Sequence, residues 1–230
     1  MLILAGPNGS GKSTTVNKIL NSPYYPGEYI SPDEAVKLSL FDEIVDHKKR
    51  YISAMQFCED IRNDLLMRGR PFCFETVLST PEKISFLSRA KKLGYLIESI
   101  YITTKDPDIN VSRVARRHSQ GGHDVPVDKI HARYARSMAL VPDLMKISDN
   151  MVIIDSSEDY KEQIIVVKNN YNWVGLHSDT WEPWIKDKII TPLMDSGLEL
   201  EYRELDSWAS KAYLSIEKKK NHTLMGLFVD

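Results

Sequence analysis

Between Gly6 and Ser13 the chain reads Gly-Pro-Asn-Gly-Ser-Gly-Lys-Ser, which fits the spacing G-x-x-x-x-G-K-[ST]. The chemistry of that pattern is polyphosphate binding. Its glycines let consecutive backbone N–H groups turn inward around an anion, and the following helix N-terminus adds partial positive charge. Lys12 is the residue that reaches the β- and γ-phosphates, and the Ser13 hydroxyl is a ligand for Mg²⁺. Gly6, Pro7, Asn8, Gly9, Ser10, Gly11, Lys12, Ser13 and Thr14 are thus the candidate nucleotide-binding residues, with ATP and Mg²⁺ the expected cofactors.

Two carboxylates follow at positions where an α/β sheet presents its ligand crevice. Asp33 lies about twenty residues past the loop, at the C-terminal edge of an expected strand. A carboxylate there can accept the proton of an acceptor hydroxyl, or it can cap the helix that Asp33-Glu34 opens. Glu75-Thr76 ends a later apolar strand in the same way. A glutamate on such a strand is costly unless it binds something, which favours a substrate or Mg²⁺-water contact.

Positive charge is concentrated further on. From Arg113 to Arg136 there are five arginines and Lys129 against Asp124 and Asp128, a surplus of four in a chain whose net charge is -2. Arg113 and Arg117 are one helical turn apart, and Gly121-Gly122-His123 supplies a break between two helices. A helix, a glycine hinge and a second helix carrying arginines suit a lid over a transferring phosphate. The alternative is an exposed amphipathic helix with solvated arginines. Lys12, Asp33, Arg113 and Arg117 are the candidate catalytic residues, and Glu75, Thr76, His123, Arg133 and Arg136 the candidate acceptor contacts.

These groups need a scaffold, and the periodicities supply one. Apolar runs at Leu2–Ala5, Tyr29–Ile30, Phe72–Glu75, Leu96–Thr103 and Met151–Asp155 read as strands. Between them lie helical patterns over Lys12–Leu20, Glu43–Met67, a segment opened by Thr80-Pro81 and closed by Gly94, Asp106–Ser119, and Pro126–Val141. Ile44, Tyr51, Met55, Cys58, Ile61 and Leu65 recur at helical spacing in the second of these. Alternating strands and helices predict a parallel sheet covered on both faces. Beyond Ser156 the texture changes, with an expected hairpin over 164–176 and a helix over 207–220.

Composition narrows the function. With 42% hydrophobic and 27% charged residues the chain can bury a core, so wholesale disorder is excluded. Near-neutral charge argues against coating nucleic acid or an anionic membrane. Cys58 and Cys73 form no CxxC and have no companion histidines, which fits a reducing compartment better than a zinc site or disulfide framework. No apolar run reaches the ~18 residues of a membrane span, and the first residues lack the basic start of a signal peptide, so a cytoplasmic location is expected. No LSGGQ-like signature or guanine-specifying N/T-K-x-D motif is present, which leaves a small-molecule kinase ahead of an ABC-type ATPase or a GTPase. A nucleic-acid 5′-end kinase and a nucleotide-gated binding module without kinase activity stay open as alternatives.

The motifs together resemble a known family. Gly6–Thr14, Ser31-Pro-Asp-Glu34, Phe74-Glu-Thr76, Gly94-Tyr95, and Arg113 through Pro126 followed by Arg133-Tyr-Ala-Arg136 look like the zeta toxins, more narrowly the branch labelled predicted ABC-type ATPases. The similarity runs from residue 2 to about 160. It implies a three-layer α/β P-loop kinase fold and ATP-dependent phosphorylation of a nucleotide-activated sugar, UDP-N-acetylglucosamine in the best-known members. It also implies a base at Asp33, an acceptor contact at Glu75, phosphate-gripping arginines within Arg113–Arg136, and an antitoxin protein as a partner to look for. The expected organisation is a kinase core over 1–160 and a C-terminal extension over 161–230 packed on it.

Overall fold

The computed structural model describes residues 1–21, 27–120, 125–169 and 180–202, with the backbone of 174–176. The expected hinge Gly121-Gly122, His123 and the helix over 207–220 lie outside the described residues. In chain order the strands are β1 (Leu2–Ala5), β2 (Glu28–Ile30), β3 (Phe72–Thr76), β4 (Glu98–Thr103), β5 (Asn150–Asp155), β6 (Gln163–Lys168), β7 (Val174–Leu176) and β8 (Glu201–Tyr202). The principal helices are α1 (Lys12–Leu20), α2 (Pro32–Ala35), α3 (His47–Met67), α4 (Glu82–Lys92), α5 (Pro107–Ser119), α6 (Val127–Ala139) and α7 (Val141–Ile147).

The strands form one sheet in the order β2-β3-β1-β4-β5-β6-β7-β8. The pairs among β2, β3, β1, β4 and β5 are all parallel, whereas β6 runs antiparallel to β5 and to β7. The hairpin expected near 164–176 is this β6–β7 pair. The sheet is therefore mixed, with its parallel part at the phosphate loop.

Period-two alternation sends side chains to opposite faces, and the two halves of the core follow from it. Ile3, Ala5, Phe72, Phe74, Tyr101, Met151 and Ile153 join the larger cluster, together with buried residues of α3, α4, α6 and α7. Leu2, Leu4, Cys73, Ile100, Ile102, Val152 and Ile154 point the other way, onto Val16 and Ile19 of α1. The sheet is thus covered on both faces, as a parallel sheet must be.

Strand β4 begins at Glu98 where the sequence reading began it at Leu96, and three helix boundaries differ as well. Helix α3 starts at His47, not Glu43, because the Asp46 carboxylate accepts the N–H groups of Lys48 and Lys49 at 2.9 and 3.0 Å and caps it there. Helix α4 starts at Glu82, with Pro81 just before its first turn. The helix expected to end near Val141 is two helices, since Pro142 has no N–H to continue α6 and instead sits in the first turn of α7. Among the described residues no helix is long and apolar enough to cross a membrane.

Candidate active site

The phosphate loop joins central strand β1 to α1, and its glycines are where the backbone demands them. Gly6 has φ +147°, and a Cβ there would stand 2.0 Å from the Ile102 carbonyl oxygen. Gly9 has φ +76°, and its Cβ would meet the Asn110 carbonyl oxygen at 2.6 Å. Neighbouring segments brace the loop. Asn110, fully buried near the start of α5, donates from Nδ2 to the Asn8 carbonyl at 2.6 Å and accepts from the Thr104 hydroxyl. Ser156, just after β5, donates to the Ser10 carbonyl at 2.8 Å.

Lys12 is partly buried within this cradle. Its Nζ donates to the carbonyls of Gly6 and Pro7, both at 2.8 Å. Burial pushes its pKa down to about 8, against the pull of the Glu75 carboxylate and with help from the Arg117 guanidinium. The Ser13 hydroxyl donates to Glu75 Oε2 at 3.3 Å, and the Tyr29 hydroxyl donates to the other Glu75 oxygen. Parallel pairing of β2, β3 and β1 makes this meeting, because it aligns the ends of three strands that are far apart in sequence.

A cleft of about 580 Å³ opens over the loop. Its wall includes Asn8, Gly9, Gly11, Lys12, Ser13 and Thr14 on one side and Asp33, Glu75 and Thr76 on another. Asp33 is exposed in the second position of α2, while Ser31 occupies the N-cap position. Asp33 is therefore not the N-cap residue of that helix. Tyr51 of α3 hydrogen-bonds to it, and burial together with the Asp33 charge pushes the tyrosine pKa up to about 12.

Helix α5 brings Arg113, Arg116 and Arg117 to the same cleft. Arg113 is held from the far side. Its Nη2 donates to the Ser156 carbonyl at 2.6 Å and to Asp159 Oδ1 at 2.7 Å, and that ion pair holds the Asp159 carboxyl below its ordinary pKa. Arg117 is exposed at the mouth and close enough to act electrostatically on both Lys12 and Tyr51. Arg133 and Arg136 on α6 do not line the cleft. Arg133 reaches Asn8 Oδ1 at 3.4 Å, and Arg136 donates to the Ser79 carbonyl at 3.2 Å.

The cleft also recruits residues that carry no motif. Tyr51, Met55, Glu59 and Arg62 form one face of α3 along it. Met55 is 50% exposed, so the helical apolar spacing that suggested core holds for Cys58 and Leu65 but not for Met55. Glu59 Oε2 accepts from Arg62 Nη2 at 2.5 Å and from Lys83 Nζ at 3.1 Å. Burial pushes the Glu59 carboxyl up, but these two bonds outweigh it and hold the group below its ordinary pKa. Charged residues three apart on a helix, Glu59 and Arg62, were the available sequence signal. Asn110 and Tyr29 had none.

Residues 1–140 match the AAA domain family. The chain belongs to that family. No curated protein sequence matches this AAA domain chain. Among solved structures it is similar to a chain of the AvrRxo1-ORF1:AvrRxo1-ORF2 complex with ATP, at TM-score 0.53 and 15% identity over 74% of this chain. It spans 58% of that chain's length. A chain of the native form of that complex matches at TM-score 0.57 and 14% identity, covering 94% of this chain and 74% of the other. A chain of the PezAT chromosomal toxin-antitoxin system of Streptococcus pneumoniae matches at TM-score 0.52 and 18% identity, covering 70% and 71%. At these identities the likeness is one of fold, and it agrees with the zeta toxin-like P-loop kinase architecture implied by the motifs.

Proposed function

We propose that this AAA domain protein transfers the γ-phosphoryl group of ATP to a hydroxyl of a small acceptor. One observation carries the reading, namely that a single cleft connects the phosphate loop, the exposed Asp33 carboxylate and the α5 arginines. In this reading Asp33 takes the proton of the acceptor hydroxyl. The freed oxygen attacks the γ-phosphorus, the bond from that phosphorus to the bridging oxygen breaks, and ADP leaves with the electron pair. Lys12 and Arg117 stabilise the charge that shifts onto the transferring group and the leaving oxygen. Arg113 sets the position of α5 against the loop after β5.

The adjacent oxygens of Ser13 and Glu75 fit the hard donors that Mg²⁺ prefers. When bound, the ion would neutralise phosphate charge. Ser13 would hold it, and Glu75, fixed by Tyr29, would orient its outer sphere. The zeta toxin resemblance supports a nucleotide-activated sugar as acceptor and an antitoxin as partner, with the chemistry in the 1–160 core.

The test is ADP release from MgATP across a panel of nucleotide sugars and 5′-hydroxyl oligonucleotides. Acceptor-dependent release with a nucleotide sugar, lost in Asp33→Asn while ATP still binds, is expected. Release that is indifferent to every acceptor overturns the proposal, and release driven only by oligonucleotides replaces it with an end-kinase reading.

A further inference from the structure

Helix α3 carries two functional levels along one face. Tyr51 meets Asp33 near its start, and Arg62 lies eleven residues on, about 16 Å along the axis. Arg62 is 7% exposed, yet only its Nη2 has a hydrogen-bond partner, Glu59 Oε2. Its Nε and Nη1 have none among the described residues, although the side chain lines the cleft. The guanidinium is fixed by the Phe74 ring, whose centroid lies 5.3 Å from it. Lys83 arrives from α4 and donates to the same Glu59 oxygen at 3.1 Å. Two cations therefore share one carboxylate oxygen, and the cluster keeps one uncompensated positive charge.

Because Nε and Nη1 reach the solvent of the cleft, they are open to donate to an anion that enters it. We propose that Arg62 and Lys83 form an oxyanion subsite at the acceptor end of the cleft, binding a phosphate or carboxylate carried by the acceptor. Glu59 holds the two cations in place when the subsite is empty and competes with the incoming anion. The subsite selects acceptors whose anionic group stands on the order of 10 Å from the reacting hydroxyl, since Arg62 reaches back toward the helix N-terminus. This inference rests on the kinase reading for the meaning of "acceptor", but its test does not.

The protein is first loaded with Mg²⁺ and a non-hydrolysable ATP analogue, so that the phosphate loop is filled. Inorganic phosphate and, separately, acetate are then titrated by calorimetry. The wild type is expected to bind at least one of them, and the stronger of the two identifies the preferred group. Arg62→Met and Lys83→Met should each weaken that binding about tenfold, and Glu59→Gln should tighten it, all with unchanged affinity for the ATP analogue. The opposite sign at Glu59 separates a binding role from a merely structural one. Lys83 is only partly buried, so its variant keeps the test valid if Arg62→Met does not fold. No binding of either anion at millimolar concentration, or affinities within twofold across all variants, overturns the subsite. Failure of the ATP analogue to bind would instead sink the kinase reading, and the anion titration could still be read on the unloaded Lys12→Met variant.

Discussion

Replacing Lys12 by methionine probes the phosphate cradle before any acceptor is known. In the nucleotide-free protein the lysine is held in a site that disfavours its charge, with its pKa lowered from 10.5 to about 8. At about 1.4 kcal/mol per pH unit, that shift corresponds to a folding cost of at most about 3.5 kcal/mol, reduced by whatever solvent reaches the site. The two bonds to the Gly6 and Pro7 carbonyls, worth about 1 kcal/mol each, act in the opposite sense. Lys12→Met should therefore equal or modestly exceed the wild type in stability at pH 7 without nucleotide. The pH dependence gives the sharper signature. Below pH 8 the lysine is protonated in both folded and unfolded chains, and the cost is constant. Between pH 8 and 10.5 the unfolded chain holds a proton that the folded chain has lost, so wild-type stability rises with pH while the variant lacks this contribution. Urea denaturation of both proteins at pH 7 and pH 10 checks it, because other titrations cancel in the difference. With MgATP the ranking should reverse, since phosphate charge restores a partner for the ammonium. A wild-type minus variant difference that does not move with pH would refute the burial argument, and equal stabilisation of both by MgATP would refute the nucleotide-site assignment.

Asp33→Asn should lower acceptor phosphorylation by about two orders of magnitude or more while ATP affinity, followed by calorimetry, stays within a few-fold. Parallel loss of ATP binding and melting temperature would point to a structural role. Arg117→Ala should lower kcat by more than tenfold with little change in Tm, whereas Arg113→Ala should also lower Tm, because it removes the bonds to Ser156 and Asp159. Steady-state kinetics of both variants within twofold of wild type would reduce α5 to ordinary surface, with Arg133→Ala and Arg136→Ala as controls outside the cleft. Asn110→Ala should cost about 1–3 kcal/mol, since it strands the buried partner carbonyl of Asn8, and should weaken ATP binding through the loosened loop. Unchanged ATP affinity in that variant would show that the brace does not matter.

What the chain by itself determined is what depends on near neighbours. Gly6 to Ser13 can be read directly because eight consecutive residues make their own anion cradle, and the alternation of Leu2–Ala5 with Lys12–Leu20 places it between strand and helix. Asp33 and Glu75 were legible for a related reason, since strand ends in a parallel sheet converge on one crevice. Tertiary structure decided everything that needs two distant segments to meet. Spacing placed five arginines in one region, but only the packing of α5 and α6 sends Arg113 and Arg117 to the cleft and leaves Arg133 and Arg136 outside it. Asn110 reads as an ordinary helix residue until α5 lies against the phosphate loop. Tyr29 and Glu75, 46 residues apart, meet only because β2 pairs with β3. The cluster of Glu59, Arg62 and Lys83 likewise exists only where α3 and α4 pack side by side, because a shared carboxylate oxygen is a property of distance in space, which sequence separation does not encode.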